Sequence, residues 1–208
     1  TKKSIENPKN IINAGIKEEW QMNIFTKFQK INKLKKTIIL IPQENYKEEI
    51  EKAIKHSKIK KTKIHYYESD PTKLTKQIEK ITRYSIRKQN LEDEITRLEN
   101  SNENNKEKKI ENLLKRDTLG NINFDSVIIA DFDESLKSIT TSLLYTDVSP
   151  KNISFITLNQ WFDQSLVNEP ISQPIYFPSI NKENYDSFIK TYYDNFNVYP
   201  NQFSFLSY

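Results

Sequence analysis

Thr37-Ile38-Ile39-Leu40-Ile41-Pro42 is a continuous strand-forming run closed by a proline. Its apolar residues do not alternate with polar ones, so the strand it predicts is buried on both faces, as in a parallel sheet covered by helices on both sides. Pro42 ends it because proline has no N–H for a sheet ladder. Upstream, Trp20, Ile24, Phe28 and Ile31 recur at spacings of four, four and three, which predicts a helix burying that stripe. Ile11-Ile12-Asn13-Ala14-Gly15-Ile16 before it reads as a strand ended by Gly15. Downstream, the loop Pro42-Gln43-Glu44-Asn45-Tyr46 opens a helix carrying Ile50, Ala53 and Ile54, and Lys63-Ile64-His65-Tyr66-Tyr67 predicts a further strand. Asp70-Pro71-Thr72 then supplies a cap and a first-turn proline for another helix.

That helix is expected to be long, running through Leu74, Ile78, Ile81, Ile86, Leu91, Ile95 and Leu98 to an asparagine-rich break at 100–105. A second helical stretch carries Ile110, Leu113 and Leu114, so residues 83–116 predict an inserted helical hairpin. Its apolar stripe is no wider than a coiled-coil seam, which suits packing on its own domain better than a projecting arm. Past Gly120 the alternation resumes with strand 127–130, helix 136–145, strand 153–156, a short helix after Trp161 and strand 175–177. A last helix over 181–196 places Tyr185, Phe188, Ile189, Tyr192 and Phe196 on one face. The order predicts an α/β fold, a doubly wound and mainly parallel sheet flanked by helices, with the hairpin inserted. Ligands of such sheets bind at the carboxyl ends of the strands, which selects segments 42–46, 131–134 and 158–163.

Composition excludes several alternatives. In 208 residues there are 11 Phe, 11 Tyr and two Trp, too many core-forming side chains for a disordered chain despite a mean hydropathy of -0.76. No run of 18 apolar residues predicts a membrane span, and no apolar stretch behind Thr1-Lys2-Lys3 reads as a signal peptide. The absence of cysteine excludes thiolate metal sites and thiol catalysis. Gly15 and Gly120 are too far apart for a phosphate-cradling glycine loop. His56 and His65 lie in a lysine-rich tract and read as solvated surface residues. The net charge of +4 is uneven: +9 over residues 1–67, +1 over 68–120 and -6 over 121–208. Only four of 32 basic residues are Arg, the side chain that nucleic-acid recognition favours, so no nucleic-acid partner is expected.

One constellation suggests catalysis. Val127-Ile128-Ile129-Ala130-Asp131-Phe132-Asp133 is an apolar strand delivering Asp-x-Asp to its end. This resembles the first motif of haloacid-dehalogenase-type phosphohydrolases, in which the first Asp attacks phosphorus beside Mg²⁺ and the second is the acid/base. The downstream acids Asp147, Asp163, Asp186 and Asp194 are isolated, and a strand followed by an acidic helix start is common for dipole reasons alone.

A second resemblance spans nearly all of residues 11–208. Asn10-Ile11-Ile12-Asn13-Ala14-Gly15-Ile16 resembles the crossing strand into the second lobe of the type 1 periplasmic-binding fold, the leucine-binding-protein-like domain. Gln43-Glu44-Asn45-Tyr46-Lys47 is similar to that family's Asp-x-Tyr-Gly loop, keeping Tyr46 and lacking the glycine. Strand 124–131 resembles the one that leads into the second-lobe pocket loop, and Leu143-Leu144-Tyr145-Thr146-Asp147-Val148 resembles the closing helix. Ile156-Thr157-Leu158-Asn159-Gln160-Trp161-Phe162-Asp163, with 188–208 including Tyr199-Pro200 and Leu206-Ser207-Tyr208, resembles the penicillin-binding-protein activators most.

The resemblance implies a single lobe of a larger two-lobe, non-enzymatic protein of the periplasm or cell envelope, acting as an activator or scaffold with a peptidoglycan synthase as partner. It implies no cofactor and no metal. An alternative is the binding component of a transporter or sensor for a small amino-acid-like ligand. In amino-acid binders of the fold, the second-lobe contacts fall at positions held here by Tyr46, by Asp131, Phe132 and Asp133, and by Asn159 and Gln160. Tyr46 reads equally as a ligand contact or as an aromatic packing on the sheet at a helix start, whereas Trp161 reads as a core plug.

Overall fold

A computed structural model describes residues 16–44, 46–59, 62–160, 173–201 and 204–205. The expected first strand over 11–15, Trp161 with the short helix after it, and Leu206 to Tyr208 lie outside the described residues. Five strands form one sheet: β1 (Thr37–Pro42), β2 (Thr62–Tyr67), β3 (Ser126–Ile129), β4 (Ser154–Thr157) and β5 (Ile175–Tyr176). They lie in the order β2-β1-β3-β4-β5 and every neighbouring pair is parallel. The helices are α1 (Glu18–Ile31), α2 (Lys47–His56), α3 (Pro71–Thr82), α4 (Tyr84–Glu99), α5 (Lys106–Leu113), α6 (Asp133–Tyr145) and α7 (Lys182–Phe196).

The period of two divides the strand residues between two cores. Ile38, Leu40, Val127, Ile129 and Phe155 face Leu74 and Ile78 of α3 and Leu136, Ile139 and Leu143 of α6. Ile39, Ile41, Ile128, Ala130 and Ile156 face Met22 and Phe25 of α1 and Ile50 and Ala53 of α2. All six residues of β1 are buried, which is why its sequence is apolar without alternation. At the amino edge, the Asp125 carboxylate accepts from the backbone N–H of Lys35 at 2.6 Å and of Lys36 at 3.2 Å, joining the starts of β1 and β3.

Four expectations are corrected. The stripe Trp20, Ile24, Phe28, Ile31 is not the buried face of α1: Gln21, Met22 and Phe25 are buried, while Trp20 is 57% and Ile31 77% exposed. The helix begun at Asp70, whose Oδ1 accepts from Lys73 N at 3.0 Å, is not continuous to Leu98. It breaks at Arg83, which takes the left-handed conformation (φ 56°) between α3 and α4. The following turn buries Arg87 rather than Ile86, and its guanidinium donates to Thr82 O (3.1 Å), Thr118 Oγ1 (3.1 Å) and Thr146 O. His65 lies half-buried in β2 rather than fully solvated, and burial, followed by the charge of Lys63, lowers its pKa. On α7, Phe188 is buried but Phe196 is exposed, so the expected face covers only the first part of the helix.

Candidate functional site

The order β2-β1-β3 makes the gap between β1 and β3 the topological switch point, since the chain leaves β1 toward one side of the sheet and later returns to the other. Two loops border that gap at the carboxyl edge. After β1, Gln43 N donates to Tyr67 O at 2.9 Å, and the chain turns into α2 through Tyr46, a left-handed residue (φ 56°) whose carbonyl accepts from Ile50 N at 2.9 Å. After β3, the chain enters α6 through Phe132. The rings of Tyr46 and Phe132 meet edge to face, 5.9 Å apart at 83°, so the two loops touch across the switch point.

Asp131, which directly precedes Phe132, is buried. Its Oδ2 accepts from the hydroxyl of Tyr67, and its Oδ1 accepts from Phe132 N at 2.9 Å. Tyr67 ends β2 fully buried and reaches past the end of β1 to make this bond. Burial, then the Asp131 charge and the hydrogen bond to it, push the Tyr67 pKa far above the ordinary phenol value. The Asp131 carbonyl is also held, by Thr157 Oγ1 at 3.3 Å and by Gln160 Nε2 at 3.1 Å. Gln160 Nε2 lies within 3.1 Å of Leu158 O and Thr157 Oγ1 as well. Asn159 N donates to Oε1 of Gln21 at 2.8 Å, which ties the end of β4 to α1.

Of the six sequence-predicted residues, the fold therefore brings Tyr46, Asp131, Phe132 and Gln160 into one contiguous cluster. Asn159, next to Gln160 in the chain, is joined to α1 through Gln21. Asp133 is exposed at the first position of α6 with φ 50°, while Asp131 turns inward, so the two acids of the Asp-x-Asp motif do not face one point. Among the described residues no group of three or more His, Asp or Glu side chains is placed to hold a metal ion. Tyr67, Thr157 and Gln21 belong to the cluster and were missed from sequence. A tyrosine at the end of a buried strand, whose hydroxyl must find a partner, is a signal that could have found Tyr67; Gln21 has no comparable signal.

Acidic side chains border this edge. Glu68 pairs with Lys73 at 2.6 Å, and that bond, with the charges of Asp70 and Glu44 adding to it, raises the Lys73 pKa. Tyr66 donates to Glu51 Oε1 at 2.6 Å beneath the Lys47 ammonium, which lies 4.5 Å from the Tyr66 ring centre.

No family model and no curated protein matches the chain. Among solved structures it is similar to an extracellular ligand-binding receptor from Verminephrobacter eiseniae ef01-2, at 10% identity and a TM-score of 0.49. The likeness covers 91% of this chain and 46% of that one, so the chain spans about half the length of the structure it matches.

Proposed function

We propose that the chain is one lobe of a non-enzymatic, periplasmic-binding-like protein of the cell envelope that acts by recognition at its carboxyl edge, as an activator or scaffold bound to a peptidoglycan synthase. The observation that carries this reading is the state of Asp131. A nucleophilic aspartate presents a carboxylate oxygen to substrate beside a cation, whereas Asp131 is buried and bonded to the Tyr67 hydroxyl and to Phe132 N. The polar side chains at the switch point thus brace the loops. What borders the edge is the half-buried Tyr46–Phe132 pair, an aromatic platform suited to protein contact.

One observation favours a second reading. Asp133 is exposed directly after Phe132 of that aromatic pair, a combination that suits the ammonium group of a small amino-acid-like ligand. Two assays on one preparation separate the readings: binding of the chain to an immobilised peptidoglycan synthase, and a thermal-shift screen against the twenty amino acids. A ligand at a hundred times its dissociation constant stabilises by about 2.7 kcal/mol, a readable shift. Synthase binding without an amino-acid shift supports the scaffold. A shift for one amino acid, lost in Tyr46→Ala, supports the receptor. Phosphate release with Mg²⁺ that disappears in Asp131→Asn overturns both.

A further inference from the structure

The side of α1 that points away from the sheet is not polar. Met22 and Phe25 fill the core, and on the opposite side Trp20, Ile24, Lys27 and Ile31 follow at spacings of four, three and four, which sets them in one row. All four are exposed, Trp20 by 57%, Ile24 by 43% and Ile31 by 77%. A lone apolar side chain in water is ordinary, but three along one row of one helix form a patch. The apolar surface continues onto the sheet. Beside the row, half-buried Phe28 holds its ring 4.9 Å from that of Tyr176 in β5, and Tyr176 is itself 41% exposed.

The charges around the row are of one sign. Lys17 holds its ammonium 5.7 Å from the Trp20 ring centre, Lys27 stands within the row and Lys30 on its other flank, all three exposed. The two acids of α1, Glu18 and Glu19, are confined to its first turn. From Trp20 to Gln43 the sequence has five lysines and no acid, and from Lys52 to Tyr67 six lysines and no acid. Helices α1 and α2 pack side by side on one face of the sheet and each finishes where a strand is about to begin, so the two acid-free runs lie on the same side of the molecule. The helix dipole accounts for lysines at the ends of α1 and α2. It gives no reason for Trp20, Ile24 and Ile31 to stand in water among them.

We propose that this side of α1 docks on an anionic phospholipid surface, with Trp20, Ile24 and Ile31 entering the boundary between head groups and acyl chains and Lys17, Lys27 and Lys30 among the lipid phosphates. An apolar row flanked by lysines is the arrangement of an interfacial helix: the apolar side chains bury area, the lysine stems reach past them, and each ammonium adds attraction to a negative leaflet. Trp suits that depth, having an apolar ring and one N–H donor. The lysines select an anionic surface over a neutral one. Contact runs along the helix, since α1 has 14 residues and no described helix is long and apolar enough to cross a membrane.

The test is co-flotation of the full chain with vesicles of mixed phosphatidylcholine and phosphatidylglycerol, and with vesicles of phosphatidylcholine alone. Binding to the mixed vesicles and not to the neutral ones is expected. Trp20→Ser/Ile31→Ser removes apolar side chains of the row and Lys27→Gln/Lys30→Gln removes two of its charges; each pair should weaken binding about tenfold or more. Ile86→Ser/Leu114→Ser and Lys88→Gln/Lys108→Gln remove exposed residues of the same kinds from the hairpin and should leave binding unchanged. The proposal is overturned by absence of binding to the mixed vesicles, by binding that survives Trp20→Ser/Ile31→Ser and so rests on bulk charge alone, or by equal losses in the hairpin pairs. It is overturned equally by a dimer in sedimentation equilibrium that Trp20→Ser/Ile31→Ser dissolves, which would assign the row to a second copy of the chain.

Discussion

At the residue scale, the chain solves its backbone geometry almost without glycine. Lys33, Tyr46, Arg83, Asn105, Asp133, Asp147 and Asn197 all take positive φ. Asn and Asp tolerate that region through local hydrogen bonding; Lys, Tyr and Arg do not. Arg83→Gly should therefore be neutral or stabilising by up to about 1 kcal/mol in urea denaturation, and Arg83→Val, which is β-branched, should be destabilising. The Tyr67–Asp131 bond behaves oppositely, because both groups are buried. Tyr67→Phe strands the carboxylate and should cost about 1–3 kcal/mol. The folded pKa of Tyr67 lies above its unfolded value near 10, so the native state holds this proton more tightly. That stability is fully present below pH 10 and is lost as pH rises above it, by about 1.4 kcal/mol per pH unit. Unfolding free energies measured from pH 8 to 11.5 should fall more steeply in the wild type than in Tyr67→Phe.

At the element scale, α1 tests how a face is chosen. Phe25→Ala should cost about 3–5 kcal/mol, whereas Trp20→Ser should change stability by about 0.5 kcal/mol or less. Equal costs would mean that the Trp20 stripe is covered. Periodicity had selected Trp20, Ile24, Phe28 and Ile31 because they are the larger apolar set, but Met22 and Phe25 fill the space against Ile39 and Ile128, and Gln21 meets Asn159 N. A helix with apolar residues on more than one stripe does not specify its own orientation; the sheet beneath does. In α4, three acceptors converge on the Arg87 guanidinium, and Thr118 in turn donates to Asp147. Arg87→Met should therefore cost about 3 kcal/mol and raise hydrogen exchange in α4 and α5, which pack on each other. No sequence pattern marks this anchor, since an arginine among Lys and Glu reads as surface.

At the scale of the whole molecule, the sheet joins two cores that share every central strand. Ile128→Ala and Ile129→Ala are neighbours on opposite faces, and each should cost about 2–5 kcal/mol, with near- and far-ultraviolet circular dichroism falling in one coincident transition. Strand identity, helix α2, the Asp70 cap and the parallel α/β class were legible in the chain itself. Those features depend on local periodicity, on proline, and on runs too apolar to tolerate water on either side. The surroundings of the residues named from sequence were not legible. Tyr46, Asp131, Phe132 and Gln160 meet where a parallel sheet gathers its loops, yet Asp131 turns inward because Tyr67, 64 residues away in sequence, reaches it with a hydroxyl. From sequence, the five described strands and the covering of both sheet faces could be read, because burial and backbone preferences act over a few residues. Tertiary structure alone decided which stripe of α1 is buried, where the long helix breaks and which charges pair, because those choices depend on atoms brought together from distant parts of the chain.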